Sequence, residues 1–294
     1  MTTMTDLVAD TRRQVYGSLT EQLNIVAAPA AAGAGSIVLE MDVTGVTPGK
    51  VLSCGLNVWW VKGADANSKT VYVIPGFDNS PKQAVAAGDI VHVHPRVTSW
   101  SIFTQLNREI QRLSSPETGL YRIGTWTSPV DPAWQTYDIP SGALVFNGLL
   151  RVRYLMPGTP DVWFDMPESA YRVQQTDAGA RIRLLRAVPA GSTMQFVYRA
   201  PFAQATSLTD DVSTVCGLAD TMFDIPPLAV AYRLLRTTES QRNQISSQGD
   251  TRRPQEVQSM SNLQTSQLIE RDYQRRVQEE FSRLVARMSY RRSL

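Results

Sequence analysis

Residues 226–236 read PPLAVAYRLLR and mark the point at which the chain changes character. Upstream of Pro226, the sequence is built from short runs rich in Val, Ile, Tyr and Trp that are separated by turn residues, which is typical of strands. Downstream, helical composition returns twice before the end of the chain. The sequence therefore predicts a β-rich body, residues 37–225, followed by a helical C-terminal arm, residues 226–294.

The arm contains a polar stretch and then a second helix. Residues 241–264 carry almost nothing apolar to bury, whereas residues 266–291 are helical in composition. Apolar residues recur in this helix every three or four positions and form one stripe: Ile269, Tyr273, Val277, Phe281, Leu284 and Met288. Arginines such as Arg275 and Arg276 flank the stripe, a composition typical of a helix that packs on a partner. The alternative is a helix folded back on its own body.

The N-terminal region is predicted to be a helix on a flexible connector. Apolar residues from 5 to 23 fall on one helical face, so we assign residues 1–26 to an N-terminal helix. Residues 27–36, AAPAAAGAGS, contain only small residues and read as a linker.

The body reads as an antiparallel sheet structure interrupted by one amphipathic helix over residues 100–113. No helix separates the later strands, which argues against a parallel doubly wound fold. The predicted class is α+β, with a β-sandwich-like antiparallel body, one packed helix, an N-terminal helix and a C-terminal helical arm.

Composition narrows the function classes. The net charge of +2 is too small to indicate nucleic-acid binding by itself. No apolar run is long enough for a membrane helix, and the N-terminus lacks the order of a signal peptide, so we expect assembly in the cytoplasm and no membrane contact. Cys54 and Cys216 are expected to be buried thiols.

Few residues carry a catalytic pattern. His92 and His94 lie two positions apart on a predicted strand, where they would face the same side, but no third ligand completes a metal motif. Nucleotide loops and a nucleophile elbow are absent from the sequence. The pair Asp210-Asp211 is predicted to cap a helix that starts at Val212. No catalytic, metal-binding or cofactor-binding residue is therefore predicted, and no cofactor.

The tryptophans leave a second class of function open. A carbohydrate-binding β-sandwich module would use such aromatics for stacking, and Trp134 and Trp163 are the residues to test. Core and interface packing is the favoured interpretation, because the tryptophans share no spacing. A metal-dependent hydrolase using the two histidines is the third alternative.

Several stretches resemble virion structural proteins of tailed phages that infect actinobacteria. They are GDIVHVHPR (88–96), LLRVRY (149–154), VYRAPF (197–202), SLTDD (207–211), DIPPL (224–228) and GDTRRPQEV (249–257). The resemblance is one of order and wording across most of the chain, not of a catalytic motif.

This resemblance implies a non-enzymatic head-to-tail connector or adaptor, with a minor tail protein as the alternative station. The implied partners are further copies of the chain in a ring, with a dodecamer as one copy number, the portal protein, and a tail or stopper protein. Non-specific contact with packaged DNA through Arg252 and Arg253 is a further expectation, and the implied location is the virion.

Overall fold

The computed structural model describes residues 1–16, 21–130, 136–138, 148–159, 162–176, 179–247 and 261–292. The chain forms two compact units. The first unit combines Met1–Ile110 with Gln204–Leu294, and the second is Gln111–Ala203. Sequence-distant segments thus share the first unit.

The first unit contains a curled antiparallel sheet. Its strands are β1 (Gln22–Ile25), β2 (Ser36–Val38), β3 (Val51–Cys54), β4 (Asn57–Asp65), β5 (Thr70–Pro75) and β6 (Ile90–Val93). Within the described residues, the order is β1-β6-β3-β4-β5-β2. The two end strands meet just beyond their own ends, because Val26 bridges Leu39 and the amide of Ala27 donates to the carbonyl of Val38 at 2.8 Å. The sheet therefore closes on itself.

The interior of the curled sheet is filled by aliphatic side chains and one indole. Strand geometry sends alternate residues to opposite faces, which explains why the buried positions of β5 are Val71 and Val73 while Tyr72 and Ile74 are exposed. The buried cluster comprises Val26, Ile37, Leu39, Val43, Val46, Leu52, Cys54, Trp59, Val61, Val71, Val73, Val85, Val91 and Val93.

Four α-helices complete the first unit: α1 (Met4–Tyr16), α2 (Ser99–Arg112, assigned to this unit through Ile110), α3 (Ile225–Ser247) and α4 (Ser261–Arg292). Helix α1 buries Met4, Leu7 and Val8 on one face and packs on α3. Helix α2 is held by Asn107, whose amide exchanges hydrogen bonds with the backbone of Ala205 at 2.9 and 3.0 Å.

The second unit contains two antiparallel sheets. Strands β7 (Arg122–Pro129), β9 (Leu149–Leu155), β10 (Trp163–Asp165) and β13 (Thr193–Ala200) form one sheet in the order β10-β9-β13-β7, and β8 (Thr136–Asp138), β11 (Tyr171–Thr176) and β12 (Gly179–Leu184) form the other in the order β11-β12-β8. Both sheets contribute to one core, in which Val152 and Phe196 of the first sheet join Tyr137 and Ile182 of the second. Two sheets sharing one core is the arrangement of a sandwich.

The α+β class, the antiparallel strands and the N- and C-terminal helices are confirmed. The predicted cap is also present: the Asp211 carboxylate accepts from the Thr214 amide at 2.9 Å and starts a π-helix, Val212–Cys216. Both cysteines are buried free thiols, as predicted.

Two predictions near the N-terminus are wrong. The helix ends at Tyr16 rather than near residue 23, since Gln22–Ile25 pair with β6. The segment 27–36 is not a free connector, because the amide and carbonyl of Ala30 both bond to Val85 at 3.0 Å. Small residues suit this segment because it runs along the sheet.

Truncation inside the curled sheet should cost far more stability than truncation on its surface. Leu52 is fully buried, whereas Leu23 is 47% exposed, so the same Leu→Ala change tests two environments. We expect Leu52→Ala to lower the free energy of unfolding by about 2–5 kcal/mol and Leu23→Ala by less than about 1 kcal/mol. Urea denaturation measures both; equal losses would contradict the closed core.

Candidate functional site

A polar cluster joins α1 to the curled sheet and to α2. The Arg12 guanidinium donates from Nη1 to Nε2 of His92 at 2.7 Å and from Nη2 to the Ser99 hydroxyl at 2.9 Å. On the other side of the imidazole, Nδ1 donates to Glu21 Oε2 at 2.7 Å. The side chains of Arg12, Glu21 and His92 are only 16–19% exposed. The cluster therefore fixes α1 against β6.

The geometry of the cluster requires a neutral imidazole. Arginine has no acceptor, so Nε2 of His92 must accept from Arg12 and the proton must sit on Nδ1, facing Glu21. Burial lowers the pKa of His92 below its usual value, the Arg12 cation lowers that pKa further, and Glu21 opposes both. Tyr16 also stays neutral, because burial and Glu21 raise its pKa to about 12.

The second histidine does not join the first. Strand β6 ends at Val93, and His94 adopts a φ of +51°, so the strand geometry that would align two imidazoles ends before it. Across the described segments, no group of three His, Cys, Asp or Glu side chains is placed to hold a metal ion.

A cleft of about 670 Å³ lies between α1 and the curled sheet. Val8 and Arg12 of α1 form one wall, and Asp89, Ile90 and His92 form the opposite side. The volume is in the range of protein ligand sites, and the lining is mixed apolar and polar. The polar cluster closes one end of this cleft.

Cys54 also lines the cleft but is a poor nucleophile. Burial, assisted by Asp89, raises the pKa of its thiol to about 12. The thiolate, not the thiol, is the reactive form of cysteine, so Cys54 stays unreactive at neutral pH.

Helices α3 and α4 form an antiparallel pair in the same unit. Arg236 bonds to Glu270 at 2.5 Å, and the rings of Tyr232 and Tyr273 lie 5.8 Å apart, so residue numbers rise along α3 as they fall along α4. The beginning of α4 thus pairs with later turns of α3, and the middle of α4 pairs with the start of α3.

Arg276 ties α4 to the turn before α3. Its Nε donates to Asp224 Oδ2 at 2.6 Å, and its Nη2 donates to the carbonyl of Thr221 at 2.6 Å. Glu279 and Glu280 accept further bonds from the same guanidinium. The side chain is only 17% exposed, and its bonds to Asp224 and Glu279 raise its pKa.

Beyond Glu280, helix α4 continues for residues 281–292, which we call the α4 extension. At about 1.5 Å of rise per residue, the extension is about 18 Å long. Phe281 is 37% exposed and Val285 is 47% exposed, and both lie past the position at which Thr221 donates to Glu280.

The residues predicted to meet a partner separate into distinct groups. Arg276 and the half-buried Tyr273 contact the chain's own first unit, which corrects their assignment to a partner surface. Ile269, Val277 and Leu284 are half-buried. Arg275 is 64% exposed and pairs only within α4 among its described contacts, with Asp272 and Glu279. Arg252, Arg253 and the side chain of Met288 lie outside the described residues.

The described tryptophans are spread over separate environments. Trp59 belongs to the core of the curled sheet, and Trp126 stacks on Phe196 at 4.8 Å. Trp163 carries the Arg153 guanidinium 5.0 Å above its ring. Trp134 lies outside the described residues. The tryptophans that are described form no common stacking platform.

Sequence reasoning singled out His92 but missed Arg12, Glu21 and Ser99. These residues come from different elements, and no local spacing connects them. It also missed the Arg276–Asp224 pair, although Asp224 directly precedes the helical stretch that the sequence did indicate.

In comparisons with known proteins, no family model matches this sequence and no curated protein shows significant similarity to it. Among the helices that the structure describes, none is both long and apolar enough to cross a lipid bilayer.

Acidification should weaken the folded state through His92. Because the folded pKa of His92 is lowered, the unfolded chain binds this proton more readily, and stability is lost as the pH falls through about 6.5 and below. His92→Gln removes the titrating group, so its urea midpoint should fall less between pH 7.5 and pH 5.5 than that of the unaltered chain.

His94→Gln is the parallel variant, since burial lowers the pKa of His94 as well. Measuring it separates the two histidines. If His92→Gln shows the full pH dependence of the unaltered chain, the cluster does not hold His92 neutral.

Proposed function

We propose that this chain is a non-enzymatic structural subunit of a tailed-phage virion that assembles into a ring at the head-to-tail connection. The sequence blocks that resemble actinobacteriophage virion proteins supply the class of particle. The geometry of the first unit supports assembly, since it leaves one end of a long helix available to a neighbour. The proposed partners are other copies of the chain, the portal protein, and a tail or stopper protein, within the virion.

The observation that carries the proposal is the α4 extension. Arg276 fixes the middle of α4 to its own chain, and the helix then continues with the exposed side chain of Phe281. An exposed phenylalanine on a helix that reaches past its packing partner is typical of a surface used in association.

The charge of the extension also favours a protein interface. Residues 281–294 contain four arginines, Arg283, Arg287, Arg291 and Arg292, and no acidic residue. Arginine is enriched at interfaces because its planar guanidinium can bond and stack at once. The same cations suit contact with DNA phosphates if the ring surrounds packaged DNA.

The chemistry of the cleft supports a structural role. Both ring nitrogens of His92 are engaged by Arg12 and Glu21, so the imidazole has no open position for proton transfer to a substrate. The thiol of Cys54 is protonated at neutral pH. These two side chains hold the fold together instead of reacting.

A minor tail protein is the alternative station within the same class. Copy number distinguishes the two: a connector ring should show one defined closed stoichiometry, and the mass of the assembled particle component measures it.

Charge placed on the α4 extension should abolish ring assembly. In Phe281→Glu, a carboxylate replaces the exposed ring, and burying it against a neighbour is unfavourable. We expect this full-length variant to remain folded by circular dichroism but to lose assembly, alone or with the portal protein. Size-exclusion chromatography with light scattering measures the mass.

Leu268→Glu is the matched control, because Leu268 is 61% exposed on α4 but precedes the extension. It should assemble as the unaltered chain does. A monomeric unaltered chain, with and without portal protein, would contradict the proposal, and so would assembly of Phe281→Glu at normal yield.

A further inference from the structure

The cleft between α1 and the curled sheet has an open apolar side. Val8 and Val85 form its buried wall, and Ile90, which is 55% exposed, lies at its mouth. Helix α4 contributes none of the described lining residues. The chain's own extension therefore does not fill the cleft in this structure.

The cleft and its borders carry uncompensated negative charge. Asp89 lines the cleft, Asp6 lies on α1, and the backbone of Asp210 bonds to the start of α1. The described hydrogen bonds to these three carboxylates come from backbone amides and hydroxyl groups, not from cations. Arg12, the cation of the lining, already faces Glu21 at 3.9 Å.

The α4 extension has the complementary character. It offers the exposed ring of Phe281 together with arginines, and no carboxylate follows Glu280. The adjacent Arg13–Asp10 pair on α1 is balanced internally at 3.0 Å and adds no net charge to the mouth of the cleft. An apolar anchor with surrounding cations matches an apolar cleft with surrounding carboxylates.

We propose that the cleft of one copy receives the α4 extension of the neighbouring copy, with Phe281 packing near Val8 and Ile90 and Arg283 facing Asp89. This assignment rests on the proposed function and names the contact that builds the ring. Each copy then uses a cleft on one side and an extension on the other. Such a heterologous contact repeats around an axis and closes into a ring.

A one-way contact can be tested by complementation between two full-length variants. Ile90→Arg blocks the cleft with a cation at its mouth and leaves the extension intact. Phe281→Glu disables the extension and leaves the cleft intact. Each variant alone should be a monomer of 32.6 kDa. Mixed in equal amounts, they should give a heterodimer of twice that mass and nothing larger, because the remaining cleft and extension are both disabled.

Ile74→Arg is the control, since Ile74 is 42% exposed on β5 of the same sheet but does not line the cleft. It should assemble as the unaltered chain does. Light scattering measures each mass, and circular dichroism checks folding.

The outcomes separate the two proposals. If the unaltered chain assembles and Ile90→Arg assembles equally well, or if the mixed variants stay monomeric, the cleft is not the docking site although ring assembly stands. If the unaltered chain is monomeric under all conditions, ring assembly fails and the docking assignment fails with it.

Discussion

The position of helix α4 depends on one buried guanidinium. Arg276 donates to the carboxylate of Asp224 and to the carbonyl of Thr221, both in the segment that leads into α3. Charged hydrogen bonds of this kind are among the stronger polar contacts in proteins, and this one is only 17% exposed. Because the bond fixes the middle of α4, the helix must continue beyond the start of α3.

The same unit contains the surface that the extension is proposed to meet. Arg12, held between His92 and Ser99, fixes α1 against the curled sheet and so keeps the walls of the cleft in place. Two polar anchors thus define two complementary surfaces, one on each side of the unit's chemistry. A rigid cleft and a rigid helix lower the ordering cost of association, which favours repeated assembly of identical subunits.

Much of the fold could be predicted from the sequence, because it is encoded in local patterns. Alternating apolar residues located β6 and β9, and the apolar spacing located α2 within one residue at each end. The first strand, β1, was missed because Leu23 also fits a helical face. The curling of the sheet and the intramolecular packing of α4 depend on contacts between distant residues such as Arg276 and Asp224. No local period records such contacts.

Hydrogen exchange resolved along α4 tests the central claim most directly. In the isolated chain, amides of residues 263–280 should be protected and those of residues 281–292 should exchange rapidly. Arg276→Ala should speed exchange in the first segment by about tenfold or more, since a lost charged hydrogen bond is worth about 1.5–3 kcal/mol. Arg275→Ala, on the exposed side of the same helix, should leave it unchanged. Uniform protection along α4, or equal effects of the two substitutions, would contradict the account.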